Sequence, residues 1–310
     1  MSDFGFEGRV AVVTGAGRGI GRAYARLLAQ RGARVVVNDL GGSAAGEGTD
    51  AGPAQAVVKE ILASDGDDGR AAADTNDVST AVGGASVIET AIERFGRIDI
   101  LIANAGIIRW GGLPVVDLES LERHLAVHLL GSFNTLRAAW PHFVEQQYGR
   151  VVLTTSSGIL GRADNLSYAA AKAGVIGLAR SAKLAGAPHG IKVNVIAPAA
   201  QTRMAGGEPP DDAEAVAGQP FLPSDAVAPM AAFLAHETCP VSGEIYTAGA
   251  GRFARLFIAS TEGYVHRDGP ASIEDVAENW DAINDEAGYD VPTDLMDWSA
   301  SFLKHQLRPR

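Results

Sequence analysis

Val10-Ala11-Val12-Val13-Thr14-Gly15-Ala16-Gly17-Arg18-Gly19-Ile20-Gly21 is the stretch of this 310-residue chain from which the fold can be read. The apolar run at its start has no polar alternation, as in a strand buried on both faces. Residues 19–30 then carry the apolar spacing of an amphipathic helix. Between them Gly15, Gly17, Gly19 and Gly21 let the backbone turn tightly and come close to a pyrophosphate, whose charge can rest on the helix's first amides and its positive dipole end. Such a turn also suits a plain strand–helix joint, so the residues C-terminal to it decide its meaning. Asp39 stands eighteen residues beyond Gly21, with Leu40 after it, at the end of a second β-branched run. There a carboxylate can accept hydrogen bonds from adenosine ribose hydroxyls and repel a 2′-phosphate, which predicts NAD rather than NADP. Arg18 and Ile20 complete the predicted nucleotide turn; an arginine here is either a ligand for a 2′-phosphate or a solvated loop charge.

Further along, short apolar strands alternate with helical stretches, the pattern of a parallel sheet covered on both faces. Seven strands are predicted, at 9–14, 34–38, 69–73, 98–103, 150–155, 192–196 and 244–247. Residues 41–52, with five glycines, read as a loop, and 206–218, rich in Gly, Pro, Asp and Ala, as a flexible flap. Beyond residue 252 the rhythm stops. Two helices are predicted there, 272–286, opening Ser272-Ile273-Glu274-Asp275 in the manner of a capping box, and 293–307. The predicted organisation is a catalytic domain, 1–251, with 252–310 as an extension packed on it.

Composition narrows the function. With 46% hydrophobic residues there is ample core, and a formal net charge of −11 with no Lys/Arg run argues against nucleic acid as a partner. Cys239 is the only cysteine, which leaves no cysteine cluster for zinc or other metal and suits a reducing, cytoplasmic setting. The N-terminal residues lack a basic n-region and apolar core, and no apolar run is long enough to span a bilayer, so neither export nor membrane insertion is predicted.

Tyr168-Ala169-Ala170-Ala171-Lys172 lies downstream of the turn Thr154-Thr155-Ser156-Ser157-Gly158. Residues four apart share a helix face, pairing a phenol with a cation able to favour its ionised form. The glycine turn, Asn104-Ala105-Gly106 after the fourth strand and this pair after the fifth occur in the order in which the chain resembles the short-chain dehydrogenase/reductase family. Within it, Val37-Asn38-Asp39-Leu40-Gly41-Gly42, Val127-His128-Leu129-Leu130-Gly131-Ser132-Phe133, Arg137-Ala138-Ala139-Trp140-Pro141-His142, Ala248-Gly249-Ala250-Gly251 and Ile273-Glu274-Asp275-Val276-Ala277-Glu278-Asn279-Trp280 are similar to the (3R)-hydroxyacyl-CoA dehydrogenase unit of peroxisomal multifunctional enzyme type 2 and its free-standing bacterial relatives. The resemblance spans nearly the whole chain. It implies a Rossmann-like, doubly wound, seven-stranded parallel sheet with a C-terminal helical extension.

Residue by residue, the resemblance implies Tyr168 as general acid/base and Lys172 as its pKa-lowering neighbour and a ligand of the nicotinamide ribose. It implies a hydroxyl that binds the substrate oxygen. Ser156 fits counting forward from the fifth strand but lies twelve residues before Tyr168 where thirteen is usual; Thr155 fits counting back, and Ser157 is third. His128 takes the place of an asparagine that anchors a water in many members. It is either a proton shuttle or water holder, or a packing residue, the role expected of His124, His142, His189 and His236. Asp77-Val78 matches the adenine contact. Asn104, Ala105 and Gly106 would line the ribose, although Ala103 departs from the customary asparagine. Pro198, Ala200 and Thr202 would border the nicotinamide amide, with no glycine after Pro198.

The implied activity is NAD-linked interconversion of a secondary alcohol and a ketone, on a (3R)-3-hydroxyacyl-CoA that can carry a steroid side chain. Arg109, Arg162, Arg203, Arg252 and Arg255 are the candidates for a CoA phosphate. The alternatives are a broad-specificity carbonyl reductase acting on small hydrophobic ketones and a non-catalytic NAD-binding sensor or structural subunit. A homodimer or homotetramer is expected, with the Ala-rich helix 169–185 offering either a packing surface for another copy or a face for the sheet.

Overall fold

A computed structural model of the chain describes residues 4–65, 69–205 and 222–306; the flap predicted at 206–218 lies outside them. The chain divides into two compact units, Met1–Arg255 and Leu256–Arg310. In the first, strands β1 (Val10–Thr14), β2 (Arg34–Asn38), β3 (Ala71–Asp74), β4 (Ile100–Ala103), β5 (Gly149–Thr154), β6 (Ile191–Pro198), β7 (Ile245–Gly249) and β8 (Arg252–Leu256) form one sheet in the order 3-2-1-4-5-6-7-8. Each pairing from β3 to β7 is parallel, in registers such as Val12 beside Val36 and Leu101. Parallel neighbours need crossover helices, and these cover both faces. They are α1 (Gly19–Gln30), α2 (Gly52–Asp65), α3 (Ala81–Phe95), α4 (Leu118–His124), α5 (Gly131–Gln146), α6 (Leu166–Gly186) and α7 (Ala228–Ala235). The strands β1, β4 and β5 are buried along their whole length; the apolar runs of β1 and β4 require it, and in β5 even Arg150 is covered.

Eight strands replace the seven expected. β8 comes after β7 with only a two-residue turn between them, too short for a crossover, so it returns as a hairpin partner at the sheet edge. Its exposed, polar Arg252-Phe253-Ala254-Arg255 lacks the apolar signature of the central strands, which is why it reads as extension in the sequence.

The second unit holds α8 (Ile273–Glu278), α9 (Trp280–Asn284) and α10 (Leu295–Leu303). The capping box forms as expected: the Ser272 hydroxyl accepts from the Asp275 amide while the Asp275 carboxylate accepts from the Ser272 amide. The single helix predicted over 272–286 is broken at Asn279, whose side-chain amide donates to the Asp275 carbonyl at 2.8 Å, a local bond that competes with continued helix. Ser260 and Asp290 exchange backbone hydrogen bonds, and Phe257 stacks on Tyr289. Among the described residues no helix is long and apolar enough to cross a membrane.

Candidate active site

The strand order reverses between β1 and β4, so the loops leaving their C-terminal ends diverge and open a cleft, the position where open α/β sheets bind ligands. The cleft holds about 990 Å³ including its open mouth. One wall is the glycine turn. Gly15 has φ +63°, and a Cβ added there would lie 2.7 Å from Ala105 Cα; on Gly21 it would run into the Gly15 carbonyl oxygen. Asn104 bolts the two diverging loops together, its side-chain amide donating to the Thr14 and Gly15 carbonyls at 3.0 and 3.2 Å. Helix α1 begins with no side-chain cap, leaving its first amides for an outside acceptor. Asp39 is held at the end of β2 by the amides of Gly17 (2.8 Å) and Gly41 (2.7 Å), so its carboxylate faces the turn.

Arg18, Gly19, Ile20, Asp39 and Leu40 line this cleft, with Asp77, Val78, Asn104, Ala105, Gly106 and Thr202. Gly17, Pro198, Ala200, Tyr168 and Lys172 do not. The Gly17 amide is turned to Asp39, Pro198 ends β6, and Ala200 packs against the hydrophobic core. Asp74, which carries no motif in the sequence, is buried and accepts from Asn38, Asn76 and Thr90 at 2.7–3.0 Å, fixing the Asn76–Val78 wall.

Tyr168 and Lys172 lie on the first turns of α6. The Ser156 hydroxyl lies beside Tyr168: a Cβ built on Gly158 would be 3.3 Å from Ser156 Oγ and 3.2 Å from Tyr168 Cε1, and the Ser156 oxygen accepts from the Gly158 amide at 3.0 Å. Thr155, thirteen residues before the tyrosine, is buried, and its hydroxyl is committed to the Lys172 carbonyl at 2.7 Å. Ser157 is exposed. The structure therefore brings Ser156, and neither of its two rivals, to the phenol.

Lys172 is 3% exposed, its ammonium 2.8 Å from the Thr154 carbonyl and 5.8 Å from the centre of the Tyr168 ring. Its electrostatic effect differs from the expectation. Burial raises the Tyr168 pKa, against which the neighbouring Ser156 hydroxyl pulls it down, and burial drives Lys172 itself from 10.5 to about 7. In the protein alone desolvation is the largest influence on both groups, and it opposes the charged form of each.

His128 is buried to 1% exposure, in a π-helical turn, Leu125–Leu130, inserted between α4 and α5. Its Nε2 lies 2.8 Å from the Ile107 carbonyl and 3.3 Å from the Ile107 amide, so the tautomer decides which of them it pairs with; Nδ1 has no partner. Burial, and then the Lys172 charge, hold its pKa well below the ordinary value. Burial thus disfavours the charged form of this ring, and its Nδ1 is free to hydrogen-bond a water or a ligand. His124, expected only to pack, belongs to the same cluster. Its ring stacks on His128 at 5.8 Å and meets the edge of Tyr168 at 6.2 Å, while its nitrogens bond the Ser120 carbonyl and the Arg109 amide. The signal for it is the His124-x-x-x-His128 spacing, the same four-residue interval as the tyrosine–lysine pair.

Buried polar atoms without a protein partner occur on the elements around Tyr168 and Lys172: His128 Nδ1, Thr154 Oγ1, Asn165 Oδ1 and Ser167 Oγ. Together with the glycine turn and the uncapped α1, they fit a polar ligand such as a nicotinamide dinucleotide. Of the arginines named for a CoA phosphate, Arg109 is tied to Glu119 and to the Ala45 carbonyl, Arg162 to Asp164 and Arg255 to Glu244. Arg203 lines the cleft and Arg252 is exposed at the start of β8.

A doubly wound sheet with a glycine turn at its reversal point and a half-buried tyrosine paired with a buried lysine after its fifth strand defines a nicotinamide-dependent oxidoreductase architecture. Residues 9–212 match the short chain dehydrogenase family, and the chain belongs to it. It is 43% identical over 286 residues to a short-chain type dehydrogenase/reductase of Mycobacterium tuberculosis, covering 92% of this chain and 96% of that protein. It is also 43% identical over 284 residues to peroxisomal multifunctional enzyme type 2 of Drosophila melanogaster, covering 90% of this chain but 46% of that protein. The solved structure of the full-length Drosophila enzyme superposes with a TM-score of 0.77 at 33% identity, over 97% of this chain and 50% of that one. The chain thus spans about half the length of that relative. It is a short-chain oxidoreductase.

Proposed function

We propose that the chain is an NAD-dependent dehydrogenase of (3R)-3-hydroxyacyl-CoA thioesters. The observation that carries the chemistry is the Ser156 hydroxyl beside Tyr168 on the same helix as buried Lys172, in a fold whose strand-order cleft is lined by Asp39 and the glycine turn. The likeness to the multifunctional enzymes supports the acyl-CoA substrate, and Asp39 supports NAD over NADP. Arg203, on the cleft wall, is the arginine best placed for a substrate phosphate.

In this reading NAD, when bound, supplies the hydride acceptor and a positive ring that favours nearby anions. Ser156 donates to the substrate oxygen and fixes it against the phenol. Tyr168, as phenolate, removes the hydroxyl proton when the alcohol is oxidised and returns it in the reverse direction. Burial opposes that phenolate, so Lys172 in its charged form, held by the Thr154 carbonyl, provides the compensating charge. The buried ring of His128 walls off the site and leaves Nδ1 free to hydrogen-bond a water or ligand.

The test is NADH formation from (3R)- and (3S)-3-hydroxyacyl-CoA and from small secondary alcohols, in the native protein and in Tyr168→Phe. The reading expects turnover of the (3R) thioester, lost about 10³-fold in the variant. Faster turnover of small alcohols, or near-native turnover by Tyr168→Phe, overturns it.

A further inference from the structure

Residues 41–51, between β2 and α2, belong by sequence to the adenosine side of the cleft, yet they are fastened on its far side. The segment closes on itself first: the Gly46 amide donates to the Ser43 carbonyl at 3.0 Å, the Glu47 carbonyl accepts from the Ser43 amide at 2.8 Å, and the Asp50 amide donates to the Leu40 carbonyl at 2.9 Å. Three consecutive carbonyls at its tip are then gripped by donors from beyond the strand-order reversal. The Ile108 amide donates to Ala44 at 2.9 Å, Arg109 Nε to Ala45 at 3.0 Å and an Arg123 terminal nitrogen to Gly46 at 3.0 Å. Gly46 has φ +83°, and a Cβ there would lie 2.8 Å from the Ile107 side chain, so the tip sits hard against the post-β4 loop.

Gly42, Ser43, Ala44 and Gly46 line the same cleft as Asp39 and Asn104, and so does Arg123. The segment is therefore a strap that crosses the cleft, with its foot at Asp39 and its buckle at Arg109 and Arg123. Arg109 is itself held in place: Glu119 lies 3.1 Å away, Glu47 of the strap 3.7 Å, and its amide donates to His124, which stacks on His128. Two of these bonds come from guanidinium groups, whose hydrogen bonds to carbonyls are stronger than neutral ones, and with the Ile108 amide they grip three consecutive carbonyls of one turn, which cannot be released one at a time without strain on the others.

We propose that Arg109 and Arg123 are positioning residues that buckle this strap over the bound dinucleotide and set how long it stays. The proposal rests on the NAD-binding reading of the cleft. A ligand lying from Asp39 to Asn104 passes between the glycine turn and the strap, so it enters before the buckle closes and leaves only after the buckle opens. The effect falls on the dissociation rate.

The test is NADH dissociation by stopped-flow fluorescence, chasing the complex with excess NAD, in the native protein, Arg123→Met, Arg123→Lys and Arg109→Met. Arg123→Met keeps the aliphatic stem and removes the donor; it is expected to release NADH about tenfold faster, with Kd raised by a similar factor. Arg123→Lys keeps a charged donor and is expected to recover most of the native residence time. Because the buckle acts as a unit, Arg109→Met with Arg123→Met should exceed the larger single effect only slightly. An unchanged dissociation rate in Arg123→Met, with NADH still binding, overturns the strap proposal alone. Failure of the native protein to bind NADH overturns the cofactor reading beneath it.

Discussion

Lys172 is the residue at which stability and function conflict most directly. Its pKa falls from 10.5 to about 7 on burial, so between those values the unfolded chain binds more protons than the folded one. By linkage the unfolding free energy then rises with pH across that window, and the penalty for burying this lysine is complete below pH 7. At about 1.36 kcal/mol per pKa unit the upper bound is on the order of 5 kcal/mol. Lys172→Met removes that penalty and strands the Thr154 carbonyl, so the expected net gain at pH 7 is about 1–3 kcal/mol, shrinking toward pH 10, with turnover lost by at least about 100-fold. Thermal melts of variant and native protein at pH 7 and 9.5 check the sign; a melting temperature that drops equally at both means that the lysine is a net structural asset. The neighbouring hydroxyls separate in the same way. Ser156→Ala should cut turnover about 100-fold with little change in stability. Thr155→Val leaves the buried Lys172 carbonyl without its donor and should cost about 1–3 kcal/mol in a denaturant melt. The reverse pattern would make Thr155 the residue that meets the substrate.

At the scale of elements, the central strands and the glycine turn are legible because one local rule governs each: unbroken apolar runs for strands buried on both sides, and glycine where loops approach too closely for a Cβ. Ser156, Tyr168 and Lys172 are legible as candidates, but the choice among Ser156, Thr155 and Ser157 is not. It depends on which hydroxyl α6 occupies from behind, a tertiary contact with Lys172 that spacing does not encode. The π-helical turn is hidden for a similar reason. Nothing in Leu125-Ala126-Val127-His128-Leu129-Leu130 departs from ordinary helix, and the extra residue per turn is accommodated by packing of His124 and His128 against Tyr168. The strap reads as a plain loop, because its buckle consists of backbone carbonyls, which carry no side-chain signature. The π turn makes one element-level prediction. A Cβ on Gly106 would lie 2.6 Å from His128 Cε1, and the ring cannot retreat while its Nε2 holds Ile107. Gly106→Ala should therefore cost about 1–3 kcal/mol in the native background and distinctly less in His128→Asn, where the smaller side chain leaves room. Equal costs in the two backgrounds would place the strain in the loop itself.

For the whole molecule, the two readings of the Ala-rich helix turn out to concern different faces of α6. Ala171, Lys172, Val175 and Ala179 are buried beneath it, whereas Ala170, Ala173, Gly177, Ser181 and Leu184 form an exposed stripe on its outside. Leu130 and Phe133, near the start of α5, are also large apolar side chains left 47% and 43% exposed. Small residues at helical spacing let a second backbone approach closely, and flanking apolar side chains gain from leaving water. We propose that this surface joins copies of the chain into a dimer or tetramer. Gly177 provides a clean test, because a Cβ there meets nothing within 4 Å in the single chain. Gly177→Arg should be neutral or favourable to the isolated helix, worth up to about 1 kcal/mol by helix propensity, so the folded protomer is not at risk. Light scattering at micromolar concentration is expected to give an oligomer for the native protein and a smaller species for Gly177→Arg, with the circular dichroism of the two alike. A native monomer, or an oligomer that Gly177→Arg leaves intact, would move the interface away from α6 or remove it altogether.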